Sequence, residues 1–123
     1  MGAGGRSLTA TSLAHLGRMT KLPGNLKRGT TQYLLGAWKE LDALAMCAGL
    51  RLTALGGVPT QIALMLAERD FDTFSLGRLR AIVMGGGPTT PALVREARAR
   101  IGVPVAIRYS YTEAGIGCET AQD

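Results

Sequence analysis

Residues 79–107 read LRAIVMGGGPTTPALVREARARIGVPVAI, and they indicate the fold class more clearly than any other part of the chain. The run 79–84 ends in four consecutive apolar residues, which suits a strand buried on both faces of a parallel sheet. Three glycines and a proline follow, and Thr90 is a favourable N-cap for a helix that begins at the next proline. Gly102 can end this helix in a left-handed conformation, and residues 103–107 form a second strand. The stretch therefore predicts a strand-helix-strand unit.

The same alternation extends towards the N-terminus. Residues 52–55 form a third apolar run, and a helix after the next glycines places Ile62, Met65 and Leu66 on one face. We therefore predict an α/β fold in which residues 51–117 form a βαβαβ core with parallel strands. Right-handed crossovers bring all its strand-to-helix junctions to the carboxyl edge of the sheet, where such folds bind ligands. Three parallel strands leave two unpaired edges, which suggests that further strands lie outside this chain.

Two segments precede the predicted core. Residues 38–49 are predicted as an amphipathic helix that ends at Gly49, and its apolar positions follow the helical spacing. The apolar positions of this helix are Trp38, Leu41, Leu44, Ala45 and Ala48. Residues 1–31 are rich in Gly, Ser and Thr, and we expect a weakly structured lead-in there. The whole chain, 1–123, is taken as part of one domain.

Composition narrows the class of protein. The chain is 46% hydrophobic and 19% charged, as a globular protein is, and its net charge of +5 favours anionic partners. Cys47 and Cys118 form no CxxC or cysteine-histidine cluster, so neither a zinc site nor a disulfide framework is predicted, and Cys47 is expected in the core. No apolar run approaches the roughly 18 residues of a membrane span, and the N-terminus lacks a signal-peptide pattern. A cytoplasmic protein is the expectation.

Three residues near the end of the chain could bind a metal-nucleotide. Tyr109, Thr112 and Glu113 follow the last predicted strand. A tyrosine ring can stack on a base, a threonine hydroxyl can donate to a phosphate, and a carboxylate can hold Mg²⁺ against phosphate oxygens. The competing interpretation is that Tyr109 lies in the core, Thr112 caps a helix and Glu113 is solvated. The three glycines before Pro88 match neither standard nucleotide fingerprint, and they leave room for close backbone approach to a flat ligand.

Three segments occur in an order and at spacings that resemble those of AMP-forming acyl-CoA synthetases of the AMP-binding superfamily. These segments are GGVPTQIALML, LRAIVMGGGPTTPALVREA and IRYSYTEAGIG. The weaker LAHLGRMTKLPG resembles the segment that precedes them there. The resemblance implies that this chain is a central fragment of the large N-terminal domain of such an adenylate-forming enzyme. It also implies an acid-thiol ligase that activates a fatty or other carboxylic acid with ATP and transfers the acyl group to CoA.

Residue roles follow from the same resemblance. Tyr109 would stack on adenine, Thr112 would contact the α-phosphate, and Glu113 would bind Mg²⁺, with Thr112 and Glu113 as the catalytic pair. Ser110 stands where the family commonly has glycine, a mild departure in the nucleotide-binding loop. The resemblance also places Gly86, Gly87 and Pro88 against the nucleotide, with Gly87 in place of the family's alanine. It places four further residues at the acyl substrate: His15, Val58, Pro59 and Gly85. His15 could equally be a surface or packing residue.

The resemblance also implies parts that this chain is not expected to supply. The family's phosphate-binding loop precedes the position of His15, while its ribose-binding aspartate and lysine-bearing C-terminal domain follow Glu113. We therefore expect the chain alone to be inactive, either as a truncated product or as a subunit of a split enzyme whose remainder is a partner.

Two other hypotheses stay open at this point. One is a non-catalytic module that retains adenylate or acyl binding. The other is nucleic-acid binding, which only the net charge and the arginine-bearing helix motivate. No aromatic residues interleave with the basic ones, so no nucleic-acid partner is predicted.

Overall fold

The computed structural model describes residues 4–120, which form six strands, five α-helices and a short 3₁₀ helix. None of the helices in this range is long and apolar enough to span a membrane. The elements in chain order are β1 (Arg6–Thr9), α1 (Leu16–Met19), α2 (Leu22–Arg28), β2 (Thr31–Leu34), α3 (Glu40–Gly49), β3 (Ala54–Gly57), α4 (Pro59–Ala67), the 3₁₀ helix (Phe71–Thr73), β4 (Ala81–Gly85), α5 (Pro91–Ile101), β5 (Val105–Tyr111) and β6 (Gly115–Glu119).

One six-stranded sheet organises the chain, in the order β2-β1-β3-β4-β5-β6. All neighbouring pairs are parallel except β5 and β6, which are antiparallel. The predicted α/β fold and its βαβαβ core are confirmed, since β3, α4, β4, α5 and β5 follow one another with parallel pairing. The carboxyl ends of β3, β4 and β5 therefore meet at one edge of the sheet.

The expectation that the missing edge strands lie outside the chain is wrong. Strand β1 covers one side of the predicted core, with β2 beyond it, and β6 covers the other side. The expectation of a weakly structured segment 1–31 is also wrong, because it contains β1, α1 and α2. Four-residue strands carry little local pattern, and β1 is held by pairing with neighbours on both sides, which its own sequence does not reveal.

Strand positions are shifted from the predicted apolar runs. Leu52 and Leu79 are buried as expected, but both lie before the strands that they were predicted to begin. The backbone N–H of Leu52 donates to Cys47 O at 3.2 Å, and that of Leu79 donates to Leu76 O at 3.0 Å. Both residues thus belong to the turns that enter the sheet. An apolar run indicates burial, whereas strand bounds depend on which backbone groups find a partner strand.

Helix α3 buries a different face from the predicted one. It begins at Glu40, so Trp38 lies before it, although Trp38 still packs against the core. Leu41 and Ala45 are exposed, whereas the helix buries Ala43, Leu44 and Cys47. Contacts with α4 and β1 select this face. In a helix with apolar residues at most positions, two neighbouring stripes fit the helical period, so the pattern alone does not choose between them.

The two faces of the sheet differ in side-chain size. Large apolar residues on one face pack against α3, α4 and α5, and they include Leu8, Leu55, Ile82, Met84 and Val105. Strand register puts small residues on the opposite face, including Ser7, Ala54, Ala81, Val83 and Ala106. Helix α1 lies on this second face, because Arg18 donates to Gln32, the residue of β2 paired with Ser7. The small side chains of the strands thus lie on the same face as α1.

The two cysteines provide a direct check of the core. Burial raises the pKa of Cys47 to about 12, whereas Cys118 is exposed. Since only the thiolate reacts, we expect one thiol per chain to react with a disulfide reagent at pH 8 under native conditions and two after unfolding. Cys118→Ser should abolish the native reaction and Cys47→Ser should leave it intact. Fast native reaction of Cys47 would contradict this packing.

Candidate functional site

Two turns meet at the carboxyl edge of the sheet. Val58 and Pro59 follow β3, and the Gly86–Gly87 turn follows β4, its neighbour in the sheet. A Cβ atom built on Gly86 would lie 3.5 Å from Val58 Cγ1, and one on Gly87 would lie 3.5 Å from Pro59 Cδ. Gly86 has φ 78°, a conformation that favours glycine. The structure thus brings together two predicted groups of site residues from separate turns.

Gly85 allows β4 and β5 to approach each other beside this turn. It pairs with Arg108 in the parallel ladder, and a Cβ atom on Gly85 would lie 3.0 Å from the Arg108 carbonyl oxygen. Such a contact is too close for an unshifted backbone. A glycine at this position therefore serves the geometry of the sheet as well as any ligand.

Strand β5 carries the predicted aromatic residue to the same edge. The strand extends beyond its predicted end, so Tyr109 and Ser110 lie within it and pair with β6. The Tyr109 side chain is 62% exposed, and its ring lies 6.0 Å from that of Tyr111 at an interplanar angle of 56°. The competing interpretation of Tyr109 as a core residue is therefore wrong. An exposed ring next to the glycine-bearing strand is available for stacking.

Thr112 and Glu113 occupy the turn between β5 and β6, so Thr112 does not cap a helix. Both residues are exposed. Their side chains form no hydrogen bond or ion pair with any other part of residues 4–120. Within the same range, no group of three acidic, histidine or cysteine side chains could hold a metal ion. A carboxylate that is exposed and unpaired in this range, as that of Glu113 is, has the chemistry of an Mg²⁺ ligand.

His15 follows β1 and is the N-cap of α1. Its Nδ1 accepts a hydrogen bond from Gly17 N at 3.1 Å, so Nε2 is the nitrogen that can donate to a ligand. The strand that His15 follows, β1, neighbours β3, the strand that Val58 and Pro59 follow. No hydrogen bond among the described residues joins His15 to the other predicted site residues.

Sequence reasoning missed a group of charged residues on the second face of the sheet. Arg18, Lys21 and Arg108, here called the basic cluster, lie near one another, and Arg108 forms an ion pair with Glu119. The pKa of Lys21 is lowered to about 8, chiefly by burial and in addition by the charges of Arg108 and Arg18, while the charge of Glu119 opposes the shift. Burial also lowers the pKa of Arg18. The only sequence signal for this group was the three-residue spacing of Arg18 and Lys21, which indicated that their side chains lie on the same side of the chain.

Known proteins resemble this chain over most or all of its length. A family model described as "AMP-binding enzyme" matches residues 1–123. A fatty acid--[acyl-carrier-protein] ligase, ScoC of Streptomyces coeruleorubidus, is 30% identical over 101 residues, which are 82% of this chain and 20% of that protein. The chain thus spans about a fifth of that relative's length.

Two solved structures have the same fold. The N-terminal domain of FACL13 from Mycobacterium tuberculosis superposes with a TM-score of 0.89 at 21% identity, over 99% of this chain and 31% of that one. O-succinylbenzoate coenzyme A synthetase (MenE) from Bacillus subtilis, in complex with ATP and magnesium ion, superposes with a TM-score of 0.80 at 27% identity, over 96% of this chain and 24% of that one.

Proposed function

This chain belongs to the AMP-binding enzyme family, and we propose that it forms the adenylate-binding part of an acid-thiol ligase. The ligase would activate a fatty or other carboxylic acid with ATP and transfer the acyl group from the acyl adenylate to CoA. The observation that carries this proposal is the convergence of two turns and an exposed tyrosine at one sheet edge. Val58 and Pro59 lie beside Gly86 and Gly87 there, and Tyr109 lies on the adjoining strand.

The nucleotide would lie along the carboxyl ends of β4 and β5. Glycines at Gly86 and Gly87 let the backbone approach the flat purine, and Pro88 stiffens the end of the turn. Tyr109 would stack on the base, with Ser110 beside it in the strand. Thr112 would donate its hydroxyl to the α-phosphate, since its side chain is exposed and uses no partner within residues 4–120.

Glu113 would hold Mg²⁺ against the phosphates. The metal would supply positive charge that offsets the negative charge on phosphorus when the carboxylate adds and pyrophosphate leaves. The free carboxylate of Glu113 supports this role, because a group already paired within the protein would have to give up its partner first.

The acid would enter from the side of β1 and β3. There His15 can donate from Nε2 to the substrate carboxylate, and Val58, Pro59 and Gly85 would line the first part of the acyl site. Holding the carboxylate oxygen near the α-phosphorus makes the addition step effectively intramolecular. In the second step the CoA thiol adds to the acyl carbon and AMP leaves.

Nucleotide binding tests the proposal. We expect Mg²⁺ to increase the affinity of the purified chain for ATP. In Glu113→Gln this increase in affinity should be about tenfold smaller, which is the effect of one lost carboxylate contact. AMP binding without metal should be nearly unchanged in the same variant, since Glu113 acts through the metal. Titration calorimetry with and without Mg²⁺ measures both effects.

Asp70→Asn is the matched control, because Asp70 is exposed and lies outside the proposed site. Absence of any AMP or ATP binding by a folded chain would refute the proposed function. An equal effect of both substitutions would show that the Mg²⁺ gain does not depend on Glu113.

A further inference from the structure

The basic cluster is more buried than positive charges in a protein ordinarily are. Arg18 is only 8% exposed, and Lys21 and Arg108 are partly buried on the same face of the sheet. Arg18 reaches Gln32 on one side, while Arg108 reaches Glu119 on the other. Three cations thus face one carboxylate in this part of the structure. Charges removed from water are costly unless opposite charges and hydrogen bonds satisfy them.

Two donors in the cluster have no partner. The Nε atom of Arg18 and one terminal nitrogen of Arg108, Nη1, are buried and make no hydrogen bond within residues 4–120. Gln32 is a neutral amide, and no carboxylate within residues 4–120 accepts a hydrogen bond from Arg18. An unpaired buried guanidinium N–H forfeits a charge-assisted hydrogen bond. The cluster therefore has both the excess charge and the free donors to bind an anion.

The position of the cluster indicates which anion fits. Arg108 pairs with Gly85, the residue that precedes the turn at the proposed adenylate site. Its side chain points to the second sheet face, as does that of Ala106 two residues earlier. Small residues, such as Ala54 and Ala106, lie on the same face. An acid whose acyl chain starts at Gly85 and turns towards this face would bring its far end to the cluster.

We propose that the basic cluster binds a second carboxylate, at the far end of the acid that the site activates, so that the preferred substrates are dicarboxylic acids. This inference rests on the proposed function. One carboxylate would react at phosphorus, and the other would accept hydrogen bonds from Arg108, Arg18 and Lys21. Glu119 would offset part of the positive charge of the cluster when no substrate is bound.

Matched pairs of non-hydrolysable adenylate mimics test this specificity. We would compare malonyl, succinyl, glutaryl and adipyl sulfamoyl adenosines with monoacyl analogues of equal carbon number, using titration calorimetry on the full chain at pH 7. At least one diacid should bind about tenfold more tightly than its partner, the value of one added charge-assisted hydrogen bond. Arg108→Gln should remove this preference and leave the monoacyl affinity unchanged. Arg80→Gln, at the opposite end of the strands, is the matched control.

Glu119→Gln should change the affinity for the diacid in the opposite direction. It removes the carboxylate that competes for Arg108, so binding of the same diacid should strengthen in a chain whose melting temperature shows that it is folded. The diacid preference should also decline between pH 7 and pH 9, because Lys21 loses its charge near pH 8 among Arg18, Arg108 and Glu119. Lys21→Arg should remove most of this decline.

The outcomes separate the two proposals. Monoacyl mimics that bind, with no diacid in the series preferred, would overturn the dicarboxylate inference alone. So would equal losses of monoacyl and diacyl affinity in Arg108→Gln, which would indicate a structural role. An Arg108→Gln effect confined to ATP would assign the cluster to the triphosphate instead. Failure of every mimic to bind a folded chain would overturn both proposals.

Discussion

Replacing Tyr109 with alanine is expected to weaken binding of a monoacyl adenylate mimic by about 10- to 100-fold, the range expected when an aromatic stacking partner of a base is lost. The Tyr109 ring is 62% exposed, so its removal leaves no large cavity and should change stability little. Its neighbour Gly117 has no side chain, and a Cβ atom there would lie 3.3 Å from Tyr109 Cδ1. The ring is therefore supported on one side and open to a ligand elsewhere.

Tyr109→Phe is the control that isolates the ring. It keeps the stacking surface and removes only the hydroxyl, so it should bind the mimic within about threefold of the unchanged chain, a difference of less than 1 kcal/mol. Affinities come from calorimetry, and thermal unfolding in the presence of the mimic checks them, since a ligand of the folded state raises its melting temperature. Equal binding by the alanine variant would remove Tyr109 from the proposed adenine contact.

The second large effect concerns stability. Leu55→Ala should lower the free energy of unfolding by about 3 kcal/mol, within the range for a leucine truncated in a closed core. Leu55 is fully buried in β3 and pairs with Leu8 of β1 and Ile82 of β4. Both neighbours are also core residues, so the surrounding structure has little freedom to close the cavity.

Leu64→Ala serves as the matched control, because Leu64 is 47% exposed on the next helix, α4. The same chemical change there should cost less than about 1 kcal/mol, since most surface substitutions have small effects. Urea unfolding followed by circular dichroism gives both values. Similar losses in the two variants would mean that β3 does not lie at the centre of a packed core in solution.

Local signals account for the parts of the fold that could be predicted. The Thr90 hydroxyl accepts a hydrogen bond from Leu93 N at 3.2 Å, and Gly102 ends α5 with φ 77°. These caps depend on residues within one turn of each other, so sequence spacing is enough to predict them. The same holds for the glycine and proline junctions that separate strands from helices. The order of the junctions then requires a parallel sheet with one ligand-binding edge.

The candidate site was predictable to the same extent. Two pairs of site residues, Val58 with Pro59 and Gly86 with Gly87, follow strands that the apolar runs indicated. Their proximity follows from the pairing of β3 with β4. The exposure of Tyr109 did not follow. Tyr109 lies in the part of β5 that pairs with β6, and that antiparallel pair has no two-residue turn signature from which it could be predicted.

Side-chain chemistry and short-range spacing thus determined the α/β class, the helix ends and the edge that carries the site. Tertiary structure alone decided the edge strands, the buried face of α3 and the basic cluster. Strand β1 is held by partners on both sides, and Arg18 and Lys21 meet Arg108 only because α1 lies over the second face of the sheet. Pairing between distant segments and the burial of charge are properties of the whole packed chain, which no local pattern encodes.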